Sequence, residues 1–101
     1  MPIVVTGREG AVTITLSGEI DHHSARTMMT EMEDAVATLV PRELTLDLSG
    51  VTFMDSSGIA VMLRAHRHMR QLGGTLRVTS IPAQSRRVLD AAGVGRMIDL
   101  D

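Results

Sequence analysis

The sequence predicts a single α/β domain, residues 1–101, in which helices flank a mixed, mostly parallel sheet in the element order ββαβαβαβ. Three observations lead to this prediction. In several short segments apolar residues alternate with polar ones, as they do in half-buried strands. In longer segments the apolar residues recur every three or four positions, as they do in amphipathic helices. A chain of 101 residues is also long enough for about one hydrophobic core.

Turn-forming residues separate the elements of the first half of the chain. Ile3–Thr6 and Val12–Leu16 are predicted to be strands of a hairpin, because residues 7–10 between them include two glycines. Ser24–Leu39 is predicted to be the first helix, since its apolar residues recur at helical spacing and its charged residues take the other side. Pro41 cannot continue a helix and ends it.

The second half of the chain follows the same pattern. The predicted elements are a strand at Leu44–Leu48, a helix at Ser56–Leu72, a strand at Thr75–Thr79, a helix with Pro82 in its first turn and Gly93 just past its end, and a strand at Met97–Leu100. We expect Ser49 and Gly50 to end the first of these strands, and Gly73 and Gly74 to end the helix that follows it. Because helices separate the later strands, right-handed crossovers make those strands parallel, and only the first strand runs antiparallel.

Composition restricts the classes of function. The formal net charge is -2, without the basic excess that nucleic-acid binding requires, so nucleic acid is not an expected partner. The chain has no Cys, which excludes disulfides, thiolate metal sites and a cysteine nucleophile. The segment Met1–Val5 lacks the features of a targeting signal, and no apolar run is long enough to cross a bilayer. We therefore expect a cytoplasmic protein that does not bind membranes. Phe53 is the single aromatic residue beside eight methionines, which predicts an aliphatic and thioether-rich core.

Two polar segments lie in front of predicted helices. Gly18–His23 joins the second strand to the first helix, and Phe53–Gly58 lies at the start of the second helix. In a parallel α/β arrangement the segments that follow the carboxyl ends of strands gather at one edge of the sheet. We therefore expect these two segments to lie side by side and to form one surface.

These segments resemble those of a known family. Leu46–Leu48 followed by Phe53–Gly58 is similar to the signature of bacterial STAS-domain anti-sigma factor antagonists, and the similarity extends to Gly18–His23 and to the paired glycines after the second helix. The resemblance implies a partner that is both an anti-sigma factor and a serine kinase, and a phosphatase that reverses its action. It implies that Ser56 accepts phosphate from ATP bound to that partner. The unphosphorylated protein would bind the kinase and so free the sigma factor. The phosphorylated protein would dissociate from the kinase.

The expected site has one phosphate acceptor and a set of partner contacts. Ser56 is the expected acceptor, with Ser57 as the less favoured one. The partner-binding residues are expected to be Asp21, His22, His23, Asp55, Ser56, Ser57 and Gly58. Asp55 is also a candidate N-cap, because its carboxylate can accept amide N–H groups of the first helical turn and hold Ser56 at the surface. We expect phosphate on Ser56 to meet the remaining free amides of that turn.

Each of these features has a simpler interpretation. Asp55, Ser56 and their neighbours can be capping and turn residues without any phosphate. Asp21 can cap the first helix, contact a partner, or do both. His22 and His23 suggest a metal ligand pair or a titrating switch, but no third ligand has suitable spacing, and neither a metal nor a cofactor is expected.

Two other classes of function remain as alternatives. Ser56 with His22 or His23 and Asp21 could supply the nucleophile, base and orienting acid of a hydrolase, but the G-x-S-x-G segment is missing and we do not expect an enzyme. A regulatory module could instead bind a small anion or a nucleotide at the two helix N-termini without phosphorylation. No P-loop spacing supports that alternative.

Overall fold

The structure is a computed structural model that describes residues 3–101; Met1 and Pro2, which the predicted domain includes, lie outside the described residues. Its elements are β1 (Ile3–Arg8), β2 (Ala11–Ile20), α1 (His22–Leu39), β3 (Glu43–Met54), α2 (Ser57–Gln71), β4 (Thr75–Thr79), α3 (Ala83–Ala91), a 3-10 turn (Val94–Arg96) and β5 (Asp99–Leu100). The strands form one sheet in the order β1-β2-β3-β4-β5. β1 is antiparallel to β2 and the later strands are parallel, which confirms the predicted strand directions and the predicted order of elements along the chain.

The core lies between one face of the sheet and the packed helices α1 and α2. Strand alternation turns Ile14, Leu46 and Val78 to this face, where they pair across neighbouring strands and are completely buried. The helices contribute apolar residues at helical spacing, which confirms the predicted amphipathic patterns. Five methionine side chains are buried in this cluster: Met28, Met32, Met54, Met62 and Met69.

The central strands are longer than the sequence pattern predicts. β3 continues through Ser49 and Gly50 to Met54, so the expectation that these two residues end the strand is wrong. The Asp47 carboxylate accepts the Ser49 N–H at 2.8 Å, and Gly50 pairs with Ser17 of β2 where the register between the strands shifts. At this irregularity β3 advances three residues while β2 advances two, so one extra residue of β3 is accommodated and the strand continues. β2 likewise continues to its last residue at position 20, so part of the predicted connecting segment is strand.

The helices keep close to their predicted positions. α1 begins at His22, two residues before the predicted start, and α2 at Ser57, one residue after it. Pro82 is the N-cap of α3 and precedes its first turn, while Gly93 follows α3 in a left-handed conformation with φ 71°. None of the helices in residues 3–101 has the length and apolar character needed to cross a membrane.

Candidate functional site

The carboxyl ends of β2 and β3 bring the two polar segments together. Glu19 pairs with Phe53 and Ile20 with Met54 in the parallel register of these strands. The Asp55 N–H then donates to the Ile20 carbonyl at 3.1 Å, so the strand pairing continues up to the start of both helices. The prediction that the two segments lie side by side is confirmed.

Asp21 is the N-cap of α1. Its carboxylate accepts the backbone N–H of His23 at 3.0 Å and of Ser24 at 2.9 Å. The Ser24 hydroxyl oxygen accepts the Asp21 N–H at 3.0 Å, which completes a capping box, and the same hydroxyl donates to the Glu19 carbonyl at 2.6 Å. The backbone hydrogen bond from Ser24, followed by weaker contributions that include the charge of His23, lowers the pKa of Asp21 from its usual 3.8. Asp21 is therefore a carboxylate at neutral pH, held in one orientation.

His22 and His23 occupy the first turn of α1 and are exposed. Their rings meet edge to face, with centroids 6.2 Å apart and planes at 63°. Within residues 3–101 no group of three or more His, Asp or Glu side chains is arranged to hold a metal ion. Both residues directly follow Asp21, whose carboxylate accepts the His23 N–H.

Asp55 and Ser56 form the start of α2. The Asp55 carboxylate accepts the Ser57 N–H at 2.7 Å, so the predicted bond from Asp55 to the first turn is present, but the N-cap position is Ser56 and not Asp55 as predicted. Ser56 already has helical backbone angles, φ -62° and ψ -18°, and its side chain makes no capping bond. Its side chain is exposed, whereas that of Ser57 is only half-exposed. Of the two serines, Ser56 is therefore the more exposed to solvent.

The first-turn amides of α2 are already occupied. Besides the Ser57 N–H on the Asp55 carboxylate, the Gly58 N–H donates to the Asp55 carbonyl at 3.0 Å and the Ile59 N–H to the Ser56 carbonyl at 3.1 Å. The expectation that a phosphate on Ser56 meets these amides in a free state is therefore wrong. The side chain of Asp55 and the tight first turn satisfy them before any phosphate arrives.

Gly58 lies below the surface. It is buried, and a Cβ at this position would overlap the side chain of Met54. The backbone of α2 approaches the end of β3 this closely only because Gly58 has no side chain. Gly58, predicted as a contact residue, therefore supports the surface from beneath and is not available for direct contact with a partner.

Sequence reasoning missed two residues of this region. Phe53 is 41% exposed and lies one residue before the buried Met54, so the only Phe, Tyr or Trp side chain of the chain is on the surface, three residues before Ser56 in the sequence. Its place inside the polar segment was a usable signal. Gln84 of α3 donates to the Met54 carbonyl at 2.7 Å and accepts the Met54 N–H at 2.9 Å. No local pattern in the sequence indicates this contact across 30 residues.

Comparison with known proteins assigns the family. Residues 2–101 match the family model of the STAS domain. The chain belongs to the STAS domain family. This confirms the resemblance inferred from the sequence and accounts for almost the whole chain.

Two relatives are anti-sigma factor antagonists. The anti-sigma F factor antagonist of Paenibacillus polymyxa is 29% identical over 100 residues, which cover 99% of this STAS domain and 86% of the relative. The anti-sigma-F factor antagonist RsfA of Mycobacterium tuberculosis is 30% identical over 93 residues, which cover 89% of this chain and 71% of the relative.

Solved structures share the fold. An anti-sigma factor antagonist from Mycobacterium paratuberculosis superposes with a TM-score of 0.85 at 26% identity, over 97% of this chain and 82% of that one. Unphosphorylated SpoIIAA, an anti-sigma factor antagonist, superposes with a TM-score of 0.81 at 22% identity, over 98% of this chain and 87% of that one. The phosphorylated form of Bacillus SpoIIAA superposes with a TM-score of 0.73 at 22% identity, over 98% of this chain and 90% of that one. The STAS fold predicted for this chain is confirmed.

Proposed function

We propose that this STAS domain is an anti-sigma factor antagonist that is switched off by phosphate on Ser56. In its unphosphorylated form it binds an anti-sigma factor with serine kinase activity and releases the sigma factor. The kinase phosphorylates Ser56, the complex separates, and a serine phosphatase restores the binding form. The exposed hydroxyl of Ser56, on the surface shared by the starts of α1 and α2, carries the proposal. The names of the relatives supply the class of partner.

The occupied amides of α2 explain why phosphate acts on binding and leaves the fold intact. Because Asp55 and the first turn already satisfy these N–H groups, a phosphate on Ser56 has no need to displace them and stays on the surface. The phosphate brings a charge of about -1.5 to -2 next to the Asp55 carboxylate. The free protein tolerates this because water screens both groups.

At a partner interface the same charges lose water. Two like unit charges about 4 Å apart repel by up to about 4 kcal/mol at an effective dielectric constant of 20. A third of that value already lowers affinity by about tenfold. The carboxylate of Asp21, ionised and oriented by its capping bonds, adds negative charge to the same surface. The effect of phosphorylation therefore falls on the complex with the kinase.

A role as substrate suits the geometry better than a role as hydrolase. A serine hydrolase needs a carboxylate that orients the imidazole. Here the Asp21 carboxylate accepts backbone N–H groups of its own helix and is used as a cap. We therefore propose a non-enzymatic protein that acts in the cytoplasm, where ATP and sigma factors are found. Binding of a small anion at the start of α2 is less favourable, because the amides that would hold it are occupied.

The test is phosphorylation of matched serine variants by an anti-sigma factor kinase encoded in the same genome. Wild type, Ser56→Ala and Ser57→Ala are incubated with kinase and ATP, phosphate is located by mass spectrometry, and affinity for the kinase is measured separately. We expect Ser56→Ala to bind the kinase without accepting phosphate, Ser57→Ala to accept it, and Ser56→Asp to bind at least about tenfold more weakly. Phosphate on Ser57 alone, or unchanged affinity of Ser56→Asp, would contradict the proposal.

A further inference from the structure

Among residues 3–101, no strand covers the outer edge of β1. β1 is the first strand of the sheet, and among the described residues it pairs only with β2. Its first four residues carry no charge, and Val4 and Val5 are 52% and 38% exposed. Edge strands of monomeric proteins are usually shortened, bulged or charged, because their unpaired N–H and C=O groups can pair with another chain. The apolar edge of β1 lacks charged protection over most of its length.

A groove runs along this edge between β1 and α1. Its volume is about 470 Å³. Its lining consists of Ile3, Val4, Val5, Glu31, Asp34 and Ala35. Apolar side chains of the strand form one wall, and two carboxylates of the helix stand on the other. A segment that occupies the groove has to be apolar toward the strand and positively charged toward the helix.

One carboxylate oxygen of Glu31 has no hydrogen-bond donor among residues 3–101. Its Oε1 atom is buried, and no donor among residues 3–101 reaches it. Glu33 of the same helix differs, since both of its oxygens accept from the Arg64 guanidinium, at 3.1 and 3.2 Å. A buried carboxylate oxygen without a donor costs free energy, and a rotation of the Glu31 side chain toward the groove would let a ligand supply the donor. This oxygen lies in a side chain that lines the groove.

We propose that the β1 edge binds an extended segment of a partner protein, which adds to the five-stranded sheet and places an Arg or Lys side chain on Glu31 and Asp34. Backbone hydrogen bonds to β1 supply affinity, and the carboxylates select a basic segment. A second copy of this chain fits less well. Two-fold pairing of β1 strands sets the two α1 helices next to each other, so that Glu31 and Asp34 of each copy face like charges.

This surface shares no residue with the Ser56 site and does not rest on the proposed function. The test uses the full chain labelled with ¹⁵N and two end-blocked peptides of alternating Val and Thr, one with two Arg residues and the other with Glu at the same positions. We expect the Arg peptide to shift the amide signals of β1 and of the middle of α1. We expect the Glu peptide to bind at least about tenfold more weakly.

Matched variants identify the carboxylates that matter. Glu31→Gln with Asp34→Asn is expected to weaken binding of the Arg peptide by about tenfold, whereas Glu33→Gln, which removes a carboxylate from the same helix outside the groove, leaves it unchanged. Circular dichroism verifies that each variant is folded. Equal affinity for the two peptides, shifts elsewhere, or no binding at millimolar peptide overturns the proposal. A wild-type dimer that Val5→Lys disrupts overturns it in favour of a second copy.

Discussion

Replacing Gln84 by alanine removes both hydrogen bonds that tie α3 to the end of β3. Gln84 accepts the Met54 N–H at 2.9 Å and donates to the Met54 carbonyl at 2.7 Å, at a residue whose side chain is completely buried. Each such bond contributes about 1 kcal/mol net, and both Met54 backbone groups lose their partner at once. We therefore expect Gln84→Ala to lower the free energy of unfolding by about 2 kcal/mol, and Tm by roughly 10 °C for a domain of this size.

The assay is urea unfolding followed by far-ultraviolet circular dichroism, with two comparison variants. Gln84→Glu keeps an acceptor for the Met54 N–H but turns a carboxylate oxygen toward the Met54 carbonyl, so it should be no more stable than the alanine variant. Arg87→Ala changes an exposed residue of the same helix and should stay within about 0.5 kcal/mol of wild type. A loss of less than about 0.5 kcal/mol for Gln84→Ala would refute the reasoning.

The same substitution should affect the proposed phosphorylation site at Ser56. Met54 is directly followed by Asp55 and Ser56. The contact with Gln84 therefore holds the backbone immediately before α2 in position. We expect faster hydrogen exchange at the amides of Met54 and Asp55 in Gln84→Ala, and slower phosphorylation by the kinase. Unchanged exchange at these amides would show that α3 does not position the site.

Three further predictions concern single residues. Val40 ends α1 in a left-handed conformation, φ 45° and ψ 58°, that is unfavourable for a β-branched side chain, so Val40→Gly should raise the free energy of unfolding by about 1 kcal/mol in the same urea assay. Because the folded-state pKa of Asp21 is lowered, its charge stabilises the fold above the usual pKa of 3.8 and loses that effect as the pH falls through the folded value; the Tm advantage of wild type over Asp21→Asn should therefore disappear in acid. Phe53→Ala should weaken kinase binding by about 2 kcal/mol in calorimetry and leave Tm nearly unchanged, since the ring is 41% exposed; unaltered affinity would exclude Phe53 as an anchor.

The sequence predicts the elements well where periodicity is uninterrupted. The helical spacing of α1 and α2 and the alternation around Ile14 and Leu46 are local signals, and the core follows them. The parallel direction of the later strands follows from the helices between them, because strands joined by a right-handed helical crossover run parallel. The preference for Ser56 over Ser57 came from family resemblance, and the exposed side chain of Ser56 now supports it.

The sequence predicts less where the strand pairing is irregular. Ser49 and Gly50 read as the end of a strand, but a shift of register against β2 keeps them in the sheet. A local pattern cannot reveal such a shift, because it depends on the partner strand. The contact between Gln84 and Met54 is likewise invisible, since it joins residues far apart in the chain. The occupied amides of α2 depend on the rotamer of Asp55, which composition does not determine.

Because its core is aliphatic and rich in methionine, this domain has almost no intrinsic fluorescence. The chain contains no Trp or Tyr, and its one Phe is 41% exposed on the surface of the domain. Intrinsic fluorescence of a mixture with a partner therefore comes from the partner alone. A tryptophan introduced as Phe53→Trp would be the only emitter in the free domain, and its spectrum would report loss of water from that surface as a complex forms and separates.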